Sequence, residues 1–275
     1  MSLEVKRTNQ LVTKDMRWKV LVIGRPGVGK TTWESTAPGL GVAACETGHG
    51  SGLLSVAEKD FPYIEPRTYA EFEALCTGSV AGFKDCQTIA LDSLTAMTRT
   101  FIKDYAVAMP AGARGNSPRR AAGVPEMNDY QTMGEGTRRL LSRLLEQDKN
   151  IIVTCLEKAE KDDNGLVTGI GPDLPGMMFT AAPAMFDTVL FLKTRKRLRD
   201  PMDKRTEYVE HFFITQNDGL HIAKCRNVFN GVSLLDREEI FDLKTGQGSF
   251  EYLRNKIIQG YTSGATQMQS VPATT

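Results

Sequence analysis

Short, continuously apolar runs recur along the chain, with longer stretches of helical periodicity between them. Val20-Leu21-Val22-Ile23, Gly41-Val42-Ala43-Ala44-Cys45, Thr88-Ile89-Ala90-Leu91-Asp92 and Asn150 to Leu156 do not alternate with polar residues, as expected of strands buried on both faces of a parallel sheet. Tyr63-Ile64 and Phe186 to Leu192 read as further strands. Leu53 to Lys59 reads as helical. Leu94, Met97, Phe101 and Tyr105 return at helical spacing, and so do Tyr130, Met133, Thr137, Leu140, Leu141, Leu144 and Leu145; each set predicts a helix face packed on the sheet. Thr68-Tyr69-Ala70-Glu71 has the spacing of a capping box. Strand and helix alternate throughout, which predicts an α/β fold: a mostly parallel twisted sheet with helices on both faces.

The pattern breaks in a few places. Pro110 to Pro125 is rich in Ala and Gly and carries Arg114, Arg119 and Arg120, the features of a mobile basic loop. Glu157 to Gly165 reads as a polar loop, and Gly171 to Phe179 as an apolar loop broken by Pro and Gly. Near the C-terminus, strands over 207–215 and 220–224 flank Gln216-Asn217-Asp218-Gly219, whose Asp-Gly pair predicts an antiparallel hairpin. Ser249 to Gln259 is a terminal helix. The chain then divides into a polar N-terminal extension (1–17), in which Gln10 to Thr13 could pair at a sheet edge, one large domain (18–260), and a Thr/Ser/Gln-rich tail (261–275) expected to be disordered.

Composition narrows the class without naming a partner. The 275 residues are 41% hydrophobic and 24% charged with a net charge of +1, enough for one large soluble domain and too balanced for a whole-molecule attraction to polyanions. The cysteines at 45, 76, 86, 155 and 225 form no C-x-x-C pair and read as reduced thiols. No run approaches the ~18 to 20 apolar residues of a membrane span, and the first residues are too polar for a signal peptide. The expectation is a cytoplasmic protein.

The chemistry is concentrated in Gly24-Arg25-Pro26-Gly27-Val28-Gly29-Lys30-Thr31, which matches G-x-x-x-x-G-K-[ST] at every fixed position. A chance match in a chain of this length is expected about one time in a hundred. An apolar strand precedes it, and Thr31-Thr32-Trp33-Glu34-Ser35 can open a helix behind it. Backbone amides of the loop, with Thr32 at the helix start, would cradle the phosphates of ATP. Lys30 would reach the β- and γ-phosphates, and the Thr31 hydroxyl would take a place on Mg2+. Asp92, delivered at the end of an apolar strand, is either the second magnesium partner or the N-cap of the following helix.

The order of these parts is similar to the RecA-like branch of P-loop ATPases. From about Trp18 to Phe229 it more closely resembles the phage-encoded RecA-like ATPases that act as single-strand annealing proteins in recombination. The resemblance implies a RecA-like ATPase domain over 18–260, with ATP and Mg2+ as cofactors. It implies that Glu46, the carboxylate just past the second strand, polarises the attacking water, although Ala44 stands where the family often has aspartate. Thr154 or Glu157 would serve as γ-phosphate sensor, with Leu156 occupying one expected position. Met177, Met178 and Phe179 would lie on a loop that packs among the bases of single-stranded DNA, or else against a neighbouring subunit. Ala223-Lys224-Cys225-Arg226 resembles an element whose two cations, Lys224 and Arg226, reach the ATP of the adjacent subunit; a solvated pair is the alternative.

The basic run from Lys193 to Arg205 reads as a solvated hairpin tip or a phosphate-backbone contact. His49, His211 and His221 are too dispersed for a metal site, and no role is assigned to them. The implied partners are single-stranded DNA, further copies of the chain in a ring or filament, and a single-stranded-DNA-binding protein, in a host cytoplasm if the protein is phage-encoded. A P-loop kinase or transferase acting on a small molecule, or an ATP-dependent loader acting on proteins, is the competing class.

Overall fold

Each continuously apolar run forms a strand in the computed structural model, which describes residues 16–46, 51–108, 125–200 and 202–269. They are β1 (Lys19–Ile23), β2 (Leu40–Ala44), β3 (Tyr63–Ile64), β4 (Thr88–Asp92) and β5 (Asn150–Cys155). β6 (Glu157–Lys161) and β7 (Val167–Pro172) follow, then β8 (Thr188–Leu198) and β9 (Glu207–Ile214). Short strands β10 (Lys224–Cys225), β11 (Val228–Phe229) and β12 (Val232–Ser233) precede the edge strand β13 (Glu238–Phe241). The main sheet has the order β13-β9-β8-β1-β5-β4-β2-β3, with β10 added to β8. From β8 to β3 every pairing along this path is parallel; β9, β10 and β13 pair antiparallel.

Alternate residues of the central strands feed two separate cores, as the pleat requires. Leu21, Ile23, Leu91, Val153 and Phe191 face one side, where α2 (Tyr69–Cys76), α3 (Leu94–Met97), α4 (Lys103–Val107), α5 (Met127–Glu146) and α6 (Met178–Met185) pack. Val20, Val22, Ala90, Ile152 and Leu190 face the other, covered by α1 (Lys30–Glu34) and α7 (Phe250–Gln269). The capping box at Thr68 and Glu71 forms as expected. A π turn over Thr98–Ile102 joins α3 to α4. Among the described residues no helix is long and apolar enough to cross a membrane.

Several expectations are corrected. The 51–56 segment is a 3-10 turn, not an α-helix. Glu157 to Gly165 is no open loop: β6 and β7 pair antiparallel, closed by a turn in which Asp162 Oδ1 accepts from the Asn164 and Leu166 amides. An antiparallel hairpin does stand in the C-terminal part, but β9 makes it with β8, in register from Phe191↔Ile214 to Leu198↔Glu207. Residues 220–224 leave β9, because Asp218 turns the chain by accepting from the Leu220 and His221 amides. His221 bridges to Ile170, and Lys224 and Cys225 pair with β8. The segment from Tyr261 to Gln269 is helical, so α7 overruns the expected tail boundary. Tyr261 extends the apolar spacing of Phe250, Leu253 and Ile257 and packs edge-on against Phe229. Gln10 to Thr13 and the arginines at 114, 119 and 120 lie outside the described residues.

An aromatic cluster ties α1 to the C-terminal helix. The fully buried Trp33 ring has Trp18, Phe213 and Phe250 at centroid distances of 6.3, 5.4 and 5.8 Å, and its Nε1 donates to the Gly248 carbonyl at 2.8 Å. Truncating such a ring removes both transfer energy and dispersion contacts. Trp33→Ala is expected to lower unfolding free energy by about 3–5 kcal/mol in denaturant titration; a loss below about 1 kcal/mol would show that this cluster does not secure α1.

Candidate nucleotide-binding site

β1 is a central strand, so the loop that leaves its end emerges between the ends of β5 and β8. The Gly24 amide donates to the Cys155 carbonyl at 3.2 Å, and a Cβ at Gly24 would stand 2.7 Å from the Leu192 carbonyl oxygen. Only glycine fits that approach. The loop turns into α1 at Gly29, whose φ of 98° is left-handed and again suits glycine. Arg25 is tied down sideways: its Nε donates to Glu157 at 2.8 Å, and Lys193 donates to the same carboxylate at 2.9 Å. Burial alone would raise the Glu157 pKa; the Lys193 and Arg25 cations outweigh it and hold it below the usual carboxylate range.

Lys30 is nearly buried and donates to the Gly24 and Arg25 carbonyls, each at 3.0 Å. Burial lowers its pKa, opposed by the Asp92 and Glu46 carboxylates. The Thr31 hydroxyl donates to Asp92 Oδ2 at 2.9 Å, and the Thr154 hydroxyl donates to Asp92 Oδ1. The N-cap alternative for Asp92 is excluded, since Ser93 caps α3 by accepting from the Ala96 amide. Asp92 is thereby left facing the loop. A hydroxyl and a carboxylate in direct contact form a hard, oxygen-only donor pair of the kind that suits Mg2+. No group of three His, Cys, Asp or Glu among the described residues could hold a metal.

Glu46 stands just past β2, whose Ala44 is in register with Asp92. A Cβ placed on Gly52 would lie 3.8 Å from Glu46 Oε2 and 3.9 Å from Asp92 Oδ2, so the 3-10 turn looks onto both carboxylates. Burial, then the Asp92 charge, raises the Glu46 pKa, while Lys30 lowers it. Activating water as a general base needs a side chain of this chemical type.

Two residues near the loop escaped sequence reasoning. Glu34 is fully buried one turn after Thr31, with neither carboxylate oxygen hydrogen-bonded among the described residues. Burial and then Asp92 push its pKa well above the usual carboxylate range. The i, i+3 spacing from Thr31 was the available signal. The other is His211, on β9, whose Nδ1 lies 3.0 Å from the Val28 carbonyl oxygen; nothing in local sequence links it to the loop.

The remaining expected residues do not join this site. Lys224 and Arg226 both donate to the Ala184 carbonyl near the end of α6, at 3.3 and 2.7 Å. β10 pairs with Thr188 and Val189 at the start of β8, which is the end of the sheet opposite the loop. Of the apolar trio, Met177 is 85% exposed, whereas Met178 and Phe179 are buried within this chain's own packing. Most of the basic run is paired with acids. Lys193 meets Glu157; Arg195 meets Glu210 and Glu238; Lys196 and Arg197 meet Glu207 and Glu210; Arg205 meets Asp203. The γ-phosphate sensor candidates, by contrast, stand at the site, Thr154 donating to Asp92 and Glu157 accepting from Arg25.

A parallel-sheet core whose central strand feeds G-x-x-x-x-G-K-[ST] into a helix, with a strand-end aspartate on the threonine of that motif, defines a P-loop NTPase. The AAA domain family model matches residues 16–227. The chain belongs to that family. No curated protein matches it.

Three substitutions test the site. Lys30→Ala should remove nucleotide hydrolysis, since a positioned phosphate contact contributes ~3 kcal/mol or more to transition-state stabilisation; unchanged turnover would reject the loop as the reactive site. Asp92→Ala should weaken magnesium-dependent nucleotide binding. Glu46→Gln should keep nucleotide affinity while hydrolysis falls on the order of a hundredfold or more. A parallel loss of affinity would mark Glu46 as part of the metal shell.

Proposed function

We propose that the protein is a RecA-like ATPase that assembles on single-stranded DNA and promotes annealing or strand pairing in phage recombination. In this reading Lys30 and Thr31, with loop amides beyond Pro26 as far as Thr32, hold ATP and Mg2+, Asp92 takes the second place on the ion, and Glu46 activates water. One observation carries the reading. Lys224 and Arg226 are a strand length from their own phosphate loop, on the order of 15 Å, so they cannot complete that site, yet they are paired on one side at the opposite end of the sheet. Cations in that position can serve a neighbouring copy, where they would neutralise charge on the transferred phosphoryl group.

The DNA part of the proposal is supported by a groove of about 480 Å³ bordered by Arg99, Lys103, Lys158, Tyr130 and Met133. Arg99 is exposed though paired with Asp173, Lys158 is exposed, and Tyr130 is half exposed. Cations beside an aromatic face suit a nucleic-acid strand, whose phosphates and bases they meet together. Met177 is one exposed apolar residue near it in sequence, two residues beyond the groove's Pro175.

Mixing tests the shared site. Lys224→Ala/Arg226→Ala subunits should bind ATP nearly normally and hydrolyse it poorly, and Lys30→Ala subunits should not hydrolyse at all. Combined, they should recover part of the activity on single-stranded DNA, because each supplies what the other lacks. ATP turnover is followed against mixing ratio, with particle mass in parallel. A monomeric mass with DNA and ATP present, together with no recovery at any ratio, would reject the assembly and favour a P-loop transferase; stimulation by a protein and not by DNA would favour a loader.

A further inference from the structure

His211 is distant in sequence from the phosphate loop, and its Nδ1 lies 3.0 Å from the carbonyl oxygen of Val28 at the loop's turn. A carbonyl oxygen only accepts, so Nδ1 carries the proton and donates. The ring lies against the loop: a Cβ on Gly29 would stand 3.6 Å from Nδ1. His211 itself is set by the sheet, opposite Thr194 of β8 and Phe241 of β13, with its ring edge-on to Phe241 at a centroid distance of 6.4 Å.

The Val28 carbonyl and the Gly29 N–H belong to one peptide unit, and in a planar trans unit they point in opposite directions. In sheet order β9 lies two strands from β1 on one side, while β4, which carries Asp92, lies two strands away on the other. Tying the carbonyl toward β9 therefore turns the Gly29 N–H away from β9, to the side where Lys30, Thr31 and Asp92 gather. Val28 stands between Gly27 and Gly29, at φ of 73° and 98°, and glycine accepts either orientation of its flanking peptide at small cost. The flipped form would aim a carbonyl oxygen at the phosphates in place of a donor.

We propose that His211 is a positioning residue that locks the Val28–Gly29 peptide of the phosphate loop in its donor orientation and so sets affinity for nucleotide. The proposal rests on the loop as a nucleotide site and requires neither DNA nor a second subunit.

The test uses the full chain and a fluorescent ATP analogue with Mg2+, with melting temperature measured without nucleotide. His211→Leu keeps an apolar side chain against Phe241 and removes the donor; it should bind about three- to tenfold more weakly, as loss of one hydrogen bond implies, with little change in melting temperature. His211→Asn offers an amide N–H at the place of Nδ1 and should restore affinity to within about twofold of the parent, even if it melts earlier. Should the leucine variant not fold, His211→Phe carries the same expectation. Parent-like affinity in the donor-less variant, or equal losses in the asparagine and donor-less variants, would overturn the latch. Unchanged affinity in Lys30→Ala would instead reject the loop itself as the nucleotide site, so the two failures are distinguishable.

Discussion

The amides that a loop offers to phosphate are not available to hold its shape. Its geometry has to come from what surrounds it, and here each support comes from a different strand. Cys155 of β5 accepts the first loop amide, Leu192 of β8 leaves no room for a side chain at Gly24, Glu157 clamps Arg25, and His211 of β9 holds the Val28 carbonyl. Placing β1 between β5 and β8 makes all of these contacts available. Behind the loop, Trp33 fixes α1 in the aromatic cluster with Trp18 and Phe250, so the phosphate site is backed by the core that α1 and α7 cover.

Charge at the site is balanced around a single lysine. Lys30 is buried with Asp92 and Glu46 nearby, and Glu34 lies in the core behind them. Three ionised carboxylates around one ammonium would leave a strongly negative pocket facing a polyanionic ligand. The upward shifts of the Glu34 and Glu46 pKa values reduce that repulsion. Asp92 is the carboxylate in contact with the motif threonine, and its two oxygens are oriented separately by Thr31 and Thr154.

The two ends of the sheet have different work. The loop end gathers nucleotide chemistry; the other end presents Lys224 and Arg226, both held at the Ala184 carbonyl. That carbonyl lies in the last turn of α6, where the helix dipole favours cations. α6 starts at the exposed Met177 end and finishes at these cations, so one short helix physically joins the segment beside the basic groove to the pair proposed to act in a neighbour.

Much of this was legible in the linear chain because it depends on local rules. Continuous apolar runs identified β1, β2, β4 and β5, helical spacing identified α5, and fixed spacing identified Lys30 and Thr31. Asp92 followed from standing at a strand end. Long-range pairing was not legible: the Asp-Gly turn at 218 carries a hairpin signal, yet β9 takes β8 as its partner because the alternating face of Lys193 to Leu198 meets complementary acids there. Met178 and Phe179 read, by their broken Gly/Pro context, as loop residues for DNA bases or a neighbouring subunit; both are buried within this chain, Met178 in the core beneath α6. Glu34 and His211 belong to the site only through tertiary structure. The sequence by itself determined the loop, its strand and the class of ligand, since backbone geometry and residue type suffice for those; which side chains hold the loop in shape was decided by the order of strands, because supports drawn from β5, β8 and β9 meet only once the sheet has assembled.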